Sequence, residues 1–180
     1  VGQPRGFASY TTAATADASR AWGVLEHVVT GSAGSFGANP NGSDKLIDLV
    51  HRLKPHFRNG ARWVMPRLTL GEARKLKDAG GATANTGNYL WQPSLSAGAP
   101  STLLGYPVTE AEDLVTFSVT DALGIAFGDF KAGYLIVNRI GIRVLRDPYT
   151  NKPYVQFYTT ARVGGDVVDF EAIKFLKFGT

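Results

Sequence analysis

The chain has no cysteine among its 180 residues. Disulfides and thiolate metal sites are thereby excluded, and whatever holds this protein to a partner has to be non-covalent packing. Long hydrophobic runs are also missing. The longest, such as GYLIV at 133–137, are far too short to span a membrane, so no membrane partner is expected. Charge of one sign is scarce as well: 19 Lys and Arg stand against 15 Asp and Glu, a net charge of only +4. The cations are scattered, whereas nucleic-acid readers gather them on one helix or stripe interleaved with aromatics. The densest cluster, Arg74, Lys75 and Lys77 around Leu76, reads as a solvated helix face.

Catalytic constellations are absent too. The histidines are His27, His51 and His56. The last two are five apart with Pro55 between them, not at the three or four that would place both on one helix face. There is no HExxH, no nucleophile elbow and no Gly-Lys-Ser/Thr of a phosphate-binding loop. The glycine string GSAGSFG at 31–37 lacks the strand-then-helix setting such a loop needs. Glu110, Glu112 and Asp113 have no histidine or lysine near them in sequence, so solvent-facing roles are expected. No catalytic, metal or cofactor residue is assigned, and no enzyme activity is expected.

What is present describes a folded, strand-rich chain. Hydrophobic residues make up 44% and charged residues 19%, which places it among globular proteins rather than disordered or fibrous ones. The 21 glycines and 9 prolines favour many turns, and the Phe, Tyr, Val and Ile content favours strands. The fold class expected is α+β with strand in excess. Val1 is not Met, and the chain opens on a Gly/Pro turn, so it is expected to be a piece of something longer.

Along the chain, residues 24–29 read as a short strand after a stretch poor in periodicity. A helix follows, capped by Ser43, with Asp44 at its positive end and Leu46, Leu49, Val50 and Leu53 on one face; Pro55 is expected to stop it. Residues 62–65 read as a buried strand. Thr69 and Glu72 fit a capping box opening a helix to about residue 78, with Ala73 and Leu76 inward and an end at Gly80-Gly81. Residues 81–87 read as a flexible connection, 88–91 as a strand stub and 92–101 as a polar loop. Strands are then expected at 108–111, 125–127, 134–138, 142–146, 154–163 and 167–176, with a turn at Asp147-Pro148. The last two strands alternate as half-buried ones do, and Gly164-Gly165 suggests a bend or bulge.

One ordered set of phrases is more specific. It comprises RWVMP at 62–66, LKD at 76–78, NYLW at 88–91 and LGYPV at 104–108. AFGDF at 126–130, GYLIV at 133–137 and FY at 157–158 running to RVGG at 162–165 complete it. In this order they closely resemble tailed-phage major capsid proteins of the Hong Kong 97 fold, a family that includes gene-transfer-agent capsids. The likeness runs from QPRG at 3–6 to the end.

That resemblance implies an axial lobe over about 1–138 and the C-terminal strands of a peripheral lobe over about 139–180. The family's N-terminal arm, extended hairpin loop and spine helix would be unrepresented. It implies a structural protein whose partners are copies of itself in pentamers and hexamers, other capsid or portal proteins, and non-specifically packaged double-stranded DNA. The place would be the virion capsid, assembled in the bacterial cytoplasm. Two segments match places where such subunits meet. Gln92, Pro93, Ser94, Ser96 and Ser101 fall on an axial loop around five- or six-fold axes; Arg146, Asp147, Tyr149 and Lys152 fall on a peripheral turn at three-fold positions. No lysine–asparagine weld is expected, since the lysine-bearing loop is absent and Lys152-Pro153 falls near where the asparagine would be. Two other readings share parts of the pattern. An encapsulin-like nanocompartment shell has the same fold but encloses enzymes, and a nucleic-acid-binding domain would suit the basic balance.

Overall fold

The structure is a computed structural model that describes residues 4–37, 41–77, 89, 91 and 101–179. Among the described residues nine strands and four helices follow in order, after a 3-10 turn at Phe7–Ser9. They are β1 (Thr12–Ala13), β2 (Leu25–Val29), α1 (Asn41–Arg52), α2 (Pro55–Arg58), β3 (Arg62–Met65) and α3 (Arg67–Arg74). Then come β4 (Thr102–Leu103), β5 (Tyr106–Glu110), β6 (Ala122–Gly128), α4 (Phe130–Gly133), β7 (Tyr134–Asp147), β8 (Gln156–Val167) and β9 (Ile173–Phe178). Seven strands form one mixed sheet in the order β1-β2-β9-β6-β3-β5-β4, and β7 with β8 forms a separate two-stranded ribbon.

The sheet is centred on β6 and β9, both buried almost throughout, and β6 reads as a near-continuous apolar run because both of its faces are covered. Register places Glu26 beside Lys174, Lys174 beside Phe127, Phe127 beside Trp63 and Trp63 beside Val108, a row across one face. Helix α1 packs on that side of β9 and β2, burying Leu46, Leu49 and Val50, with Leu53 just beyond its end. Trp63 and Phe127 have ring centroids 4.4 Å apart, and the indole N–H of Trp63 donates to the carbonyl of Leu103 at 3.0 Å. On the opposite face Phe7 stacks on Phe175 at 6.0 Å and meets Phe130 at 5.2 Å. Gly128 is required where β6 passes β9: a Cβ there would lie 2.0 Å from the carbonyl oxygen of Ala172. The β4–β5 hairpin turns on Leu104 and Gly105, both at positive φ (51° and 84°), as a two-residue loop demands.

Several sequence expectations are corrected. Ser43 does not cap α1, which begins two residues earlier at Asn41; Asp44 does sit in its first turn. Pro55 not only follows the end of α1 but opens α2, at the position where its missing N–H leaves nothing unsatisfied. Helix α3 starts after Pro66, so Thr69 is inside it and fully buried, its hydroxyl accepting from the Phe117 N–H at 3.3 Å. Glu72 pairs with Lys75 at 2.5 Å instead of closing a capping box, and the helix ends at Arg74. At 88–91 the described Tyr89 forms one isolated bridge, with Lys77. Residues 80–87 and 92–100 lie outside the described residues.

The C-terminal strands differ most. The two strands expected at 134–138 and 142–146 are one, β7, running through Gly141. Two irregularities fall between Asn138 and Arg143, while Gly164 and Gly165 pair regularly with Val137 and Ile136. Half-burial holds for neither of the last strands: β8 is exposed almost throughout, and β9, shorter than expected, is buried in the sheet. A chain boundary at 138/139 therefore cuts β7 and would part β9 from β2 and β6, its partners.

Candidate assembly surfaces

The ribbon stands apart from the seven-stranded sheet and carries most of the exposed large apolar side chains among the described residues. Strand β7 has 14 residues, a length of about 45 Å at roughly 3.3 Å per residue. An isolated two-stranded ribbon is marginal in water. Twelve of the twenty exposed large hydrophobic residues among the described ones lie between Leu135 and Val163. Pairing puts Ile136, Val144 and Phe157 with Val163 on one face, and Leu135, Val137, Leu145 and Tyr158 on the other. Both faces are thus apolar and open. Exposed apolar surface on this scale marks interaction sites.

The ribbon's outer turn is built to hold a shape. One carboxylate oxygen of Asp147 accepts from the backbone N–H of Tyr149 at 2.9 Å and of Thr150 at 3.2 Å, and the other accepts from the Thr150 hydroxyl. Those hydrogen bonds, the Thr150 hydroxyl first, hold the Asp147 carboxyl below its ordinary range. Tyr154 N–H closes the turn on the Asn151 carbonyl at 2.8 Å. Arg146, Tyr149 and Lys152 are left projecting, Tyr149 at 81% exposure. At the ribbon's base, the Arg5 N–H donates to the Gly165 carbonyl at 3.1 Å, and the Tyr134 hydroxyl donates to the Arg5 carbonyl at 2.7 Å.

Of the residues expected to meet neighbours, Gln92, Pro93, Ser94 and Ser96 lie outside the described residues. Ser101 is half-buried at the start of the β4–β5 hairpin, its carbonyl accepting from the Val108 N–H at 3.1 Å. Arg146, Asp147, Tyr149 and Lys152 are brought together at the ribbon tip, far along β7 from the sheet.

Sequence reasoning missed a buried ionic cluster. Lys174, on the core face of β9, pairs with Glu26 at 2.7 Å and with Asp17. Arg20 joins Asp17 at 2.6 Å and Glu26 at 3.2 Å, and Arg52 reaches Glu26 from α1 at 3.2 Å. Burial pushes the Asp17 carboxyl up, but the hydrogen bonds and charges of Lys174 and Arg20 outweigh it and hold the group below its ordinary range. A signal was legible: in IKFLKF at 173–178, Lys174 falls in phase with Leu176 and Phe178.

Among the described residues no three His, Cys, Asp or Glu side chains are grouped to hold a metal ion, and no helix is long and apolar enough to cross a membrane. Comparison with known proteins bears on the family and the fold. A family model described as the phage capsid family matches residues 1–178. Among solved structures, the capsid of an empty gene-transfer-agent particle with C5 symmetry is 48% identical, with a TM-score of 0.79 over 99% of this chain. The capsid of the native particle matches at the same identity and TM-score over 98%. The chain spans 57% and 56% of those two capsid chains. No curated protein matches. With a family model over nearly its whole length and a solved capsid at this identity, the chain belongs to the phage capsid family.

Proposed function

We propose that this chain is the larger part of a major capsid protein that assembles with copies of itself into a closed icosahedral shell around double-stranded DNA. The observation that carries the reading is the 48% identity to a gene-transfer-agent capsid over 99% of this chain, and the long, doubly apolar ribbon, which no described element covers, supports it. The seven-stranded sheet with α1–α4 is then the axial lobe, gathered around the five- and six-fold axes with Ser101 and residues 92–100 at its loop. The β7–β8 ribbon is the peripheral lobe, with Arg146, Tyr149 and Lys152 meeting neighbours and Asp147 shaping the turn that presents them. Individual exposed ion pairs there contribute only about 0–1 kcal/mol. Closed symmetry and many neighbours multiply such contacts into a stable shell.

Assembly in the bacterial cytoplasm, a portal partner and non-specific contact with packaged DNA accompany this reading. The particles matched are capsids, which weighs against an enzyme-filled nanocompartment. The test is to express the full open reading frame and inspect it by negative-stain microscopy. Uniform hollow particles are expected; soluble monomers under assembly conditions would overturn the proposal.

A further inference from the structure

We propose that one face of the ribbon is a protein-binding surface, on which the adjacent Arg143 and Arg162 receive a carboxylate-bearing, apolar segment of a second copy of this chain. The inference rests on the assembly reading above and adds which face makes the contact and what chemistry it takes.

The register of β7 on β8 fixes that face. Arg143 pairs with Thr160 and Leu145 with Tyr158, while Ile140 pairs with Arg162 and Val137 with Gly164. Alternate residues of a strand share a face, so Tyr158, Thr160 and Arg162 project together, and Arg143 projects with them. The two arginines are diagonal neighbours, their Cβ atoms roughly 7–8 Å apart. Around them Val137, Leu145 and Tyr158 are 48%, 65% and 48% exposed. Neither guanidinium has a hydrogen bond, ion pair or ring contact with any described residue. The ribbon's own carboxylates do not serve them. Asp147 is committed to the N–H groups of Tyr149 and Thr150. Asp166 accepts from the Val167 N–H and stands about 13 Å along β8 from Arg162, at roughly 3.3 Å per residue. Like charges side by side destabilise a bare ribbon, and an anion from outside relieves them.

The surroundings select the anion. A phosphate backbone is met by a strongly cationic, polar surface. Here two arginines stand in an apolar field, and β7 and β8 contain no lysine and no glutamate. Arginine and aromatic side chains without lysine or glutamate are the composition of a protein–protein interface. A guanidinium takes a carboxylate through two parallel hydrogen bonds, which sets the partner's register as well as its charge. The opposite face is partly taken by the chain itself: a Cβ at Gly165, which pairs with Ile136, would lie 3.1 Å from Pro4 and 3.0 Å from the Tyr134 hydroxyl. The arginine face is left to another molecule, and in the shell proposed above each tile is surrounded by its copies. Such a copy can supply the chemistry. Glu110 and Asp113 are exposed with no partner among the described residues, and Val115 beside them is 49% exposed.

Two measurements on particles from the full open reading frame test this. First, p-benzoylphenylalanine replaces Tyr158 on the arginine face. Illumination should join subunits into covalent dimers in particles and not among dissociated subunits. Cross-links confined to one chain, or made to nucleic acid, overturn the proposal. Second, Arg143→Glu with Arg162→Glu should lower the yield of empty and filled particles alike severalfold, and Arg143→Lys with Arg162→Lys should recover much of it. Dissociated subunits of both variants should melt with the wild type, since neither arginine has an internal partner to lose. Unchanged yield from the glutamate variant overturns the proposal. So does a normal yield of particles that have lost only their DNA, which would make the surface a phosphate contact. Where the Tyr158 replacement blocks assembly, the arginine variants decide alone. Failure of the wild type to form particles would instead remove the assembly reading itself.

Discussion

Lys174 Nζ lies 2.7 Å from Glu26 Oε2, and neither side chain is more than 2% exposed. The pair bolts β9 to β2 at adjacent positions of the sheet. Replacing Lys174 by Met leaves the Glu26 and Asp17 carboxylates buried beside one cation fewer, and should cost about 3–5 kcal/mol. Adding Glu26→Gln should recover part of that loss, since the stranded charge is then removed. Denaturant midpoints of the single and double variants check this; a double variant less stable than the single would contradict it.

Acid should loosen the sheet in two stages. Burial first, and the Lys177 charge second, hold His27 below its ordinary 6.5, although Asp121 and Glu26 pull it upward. Asp17 is held below its ordinary 3.8 by Lys174 and Arg20, against the upward push of burial. In both cases the unfolded chain takes up a proton before the folded one as pH falls. Stability is therefore full above 6.5, declines from there through His27, and declines again below 3.8 through Asp17. Thermal melting across this range should display both stages, and His27→Phe should flatten the upper one. A wild-type melting temperature constant between those values would refute the His27 part.

The paired rings of Trp63 and Phe127 form the centre of the core, both with no exposure. Phe127→Ala should cost about 3–5 kcal/mol through the cavity it leaves. Trp63→Phe should cost about 1–3 kcal/mol, chiefly by orphaning the Leu103 carbonyl that the indole N–H satisfies. Equilibrium denaturation should rank them in that order, and near-neutral behaviour of either would contradict the packing described.

Ile142 and Phe157 are 76% and 63% exposed on the ribbon. Changing both to Lys should improve the solubility of the isolated 180-residue chain, since no internal contact is lost. The same pair in the full open reading frame should reduce the yield of particles. Light scattering and microscopy read the two effects, and unimpaired assembly would mean that the ribbon's apolar faces stay uncovered in the particle.

At the ribbon tip, Asp147→Ala removes the acceptor for two backbone N–H groups and a hydroxyl. Limited proteolysis between 148 and 154 should accelerate severalfold, with Asp147→Asn intermediate because its amide oxygen can still accept. Equal rates for all three proteins would show that the turn does not depend on this side chain.

Local physics carried much of the reading. The apolar spacing of Leu46, Leu49, Val50 and Leu53 does mark the buried face of a helix, and RWVM at 62–65 is a strand. The ordered phrases led to the right family. Where a choice depended on what lay opposite, the sequence misled. Thr69 and Glu72 have the spacing of a capping box, yet Pro66 starts the helix first and Phe117 takes the Thr69 hydroxyl. The alternation in β8 reads as half-buried, but no described element covers it.

By itself the amino-acid sequence determined the strand-rich class, the absence of disulfides, several elements and the family, because composition, spacing and short ordered phrases are local properties of a chain. Only the tertiary structure decided that β7 runs unbroken through Gly141, that Lys174 and Glu26 bury their charges together, and that Arg143 and Arg162 share one face of the ribbon. Each of these depends on which residues, distant in sequence, meet across the sheet or fail to meet at all, and burial is a property of that encounter rather than of the residue.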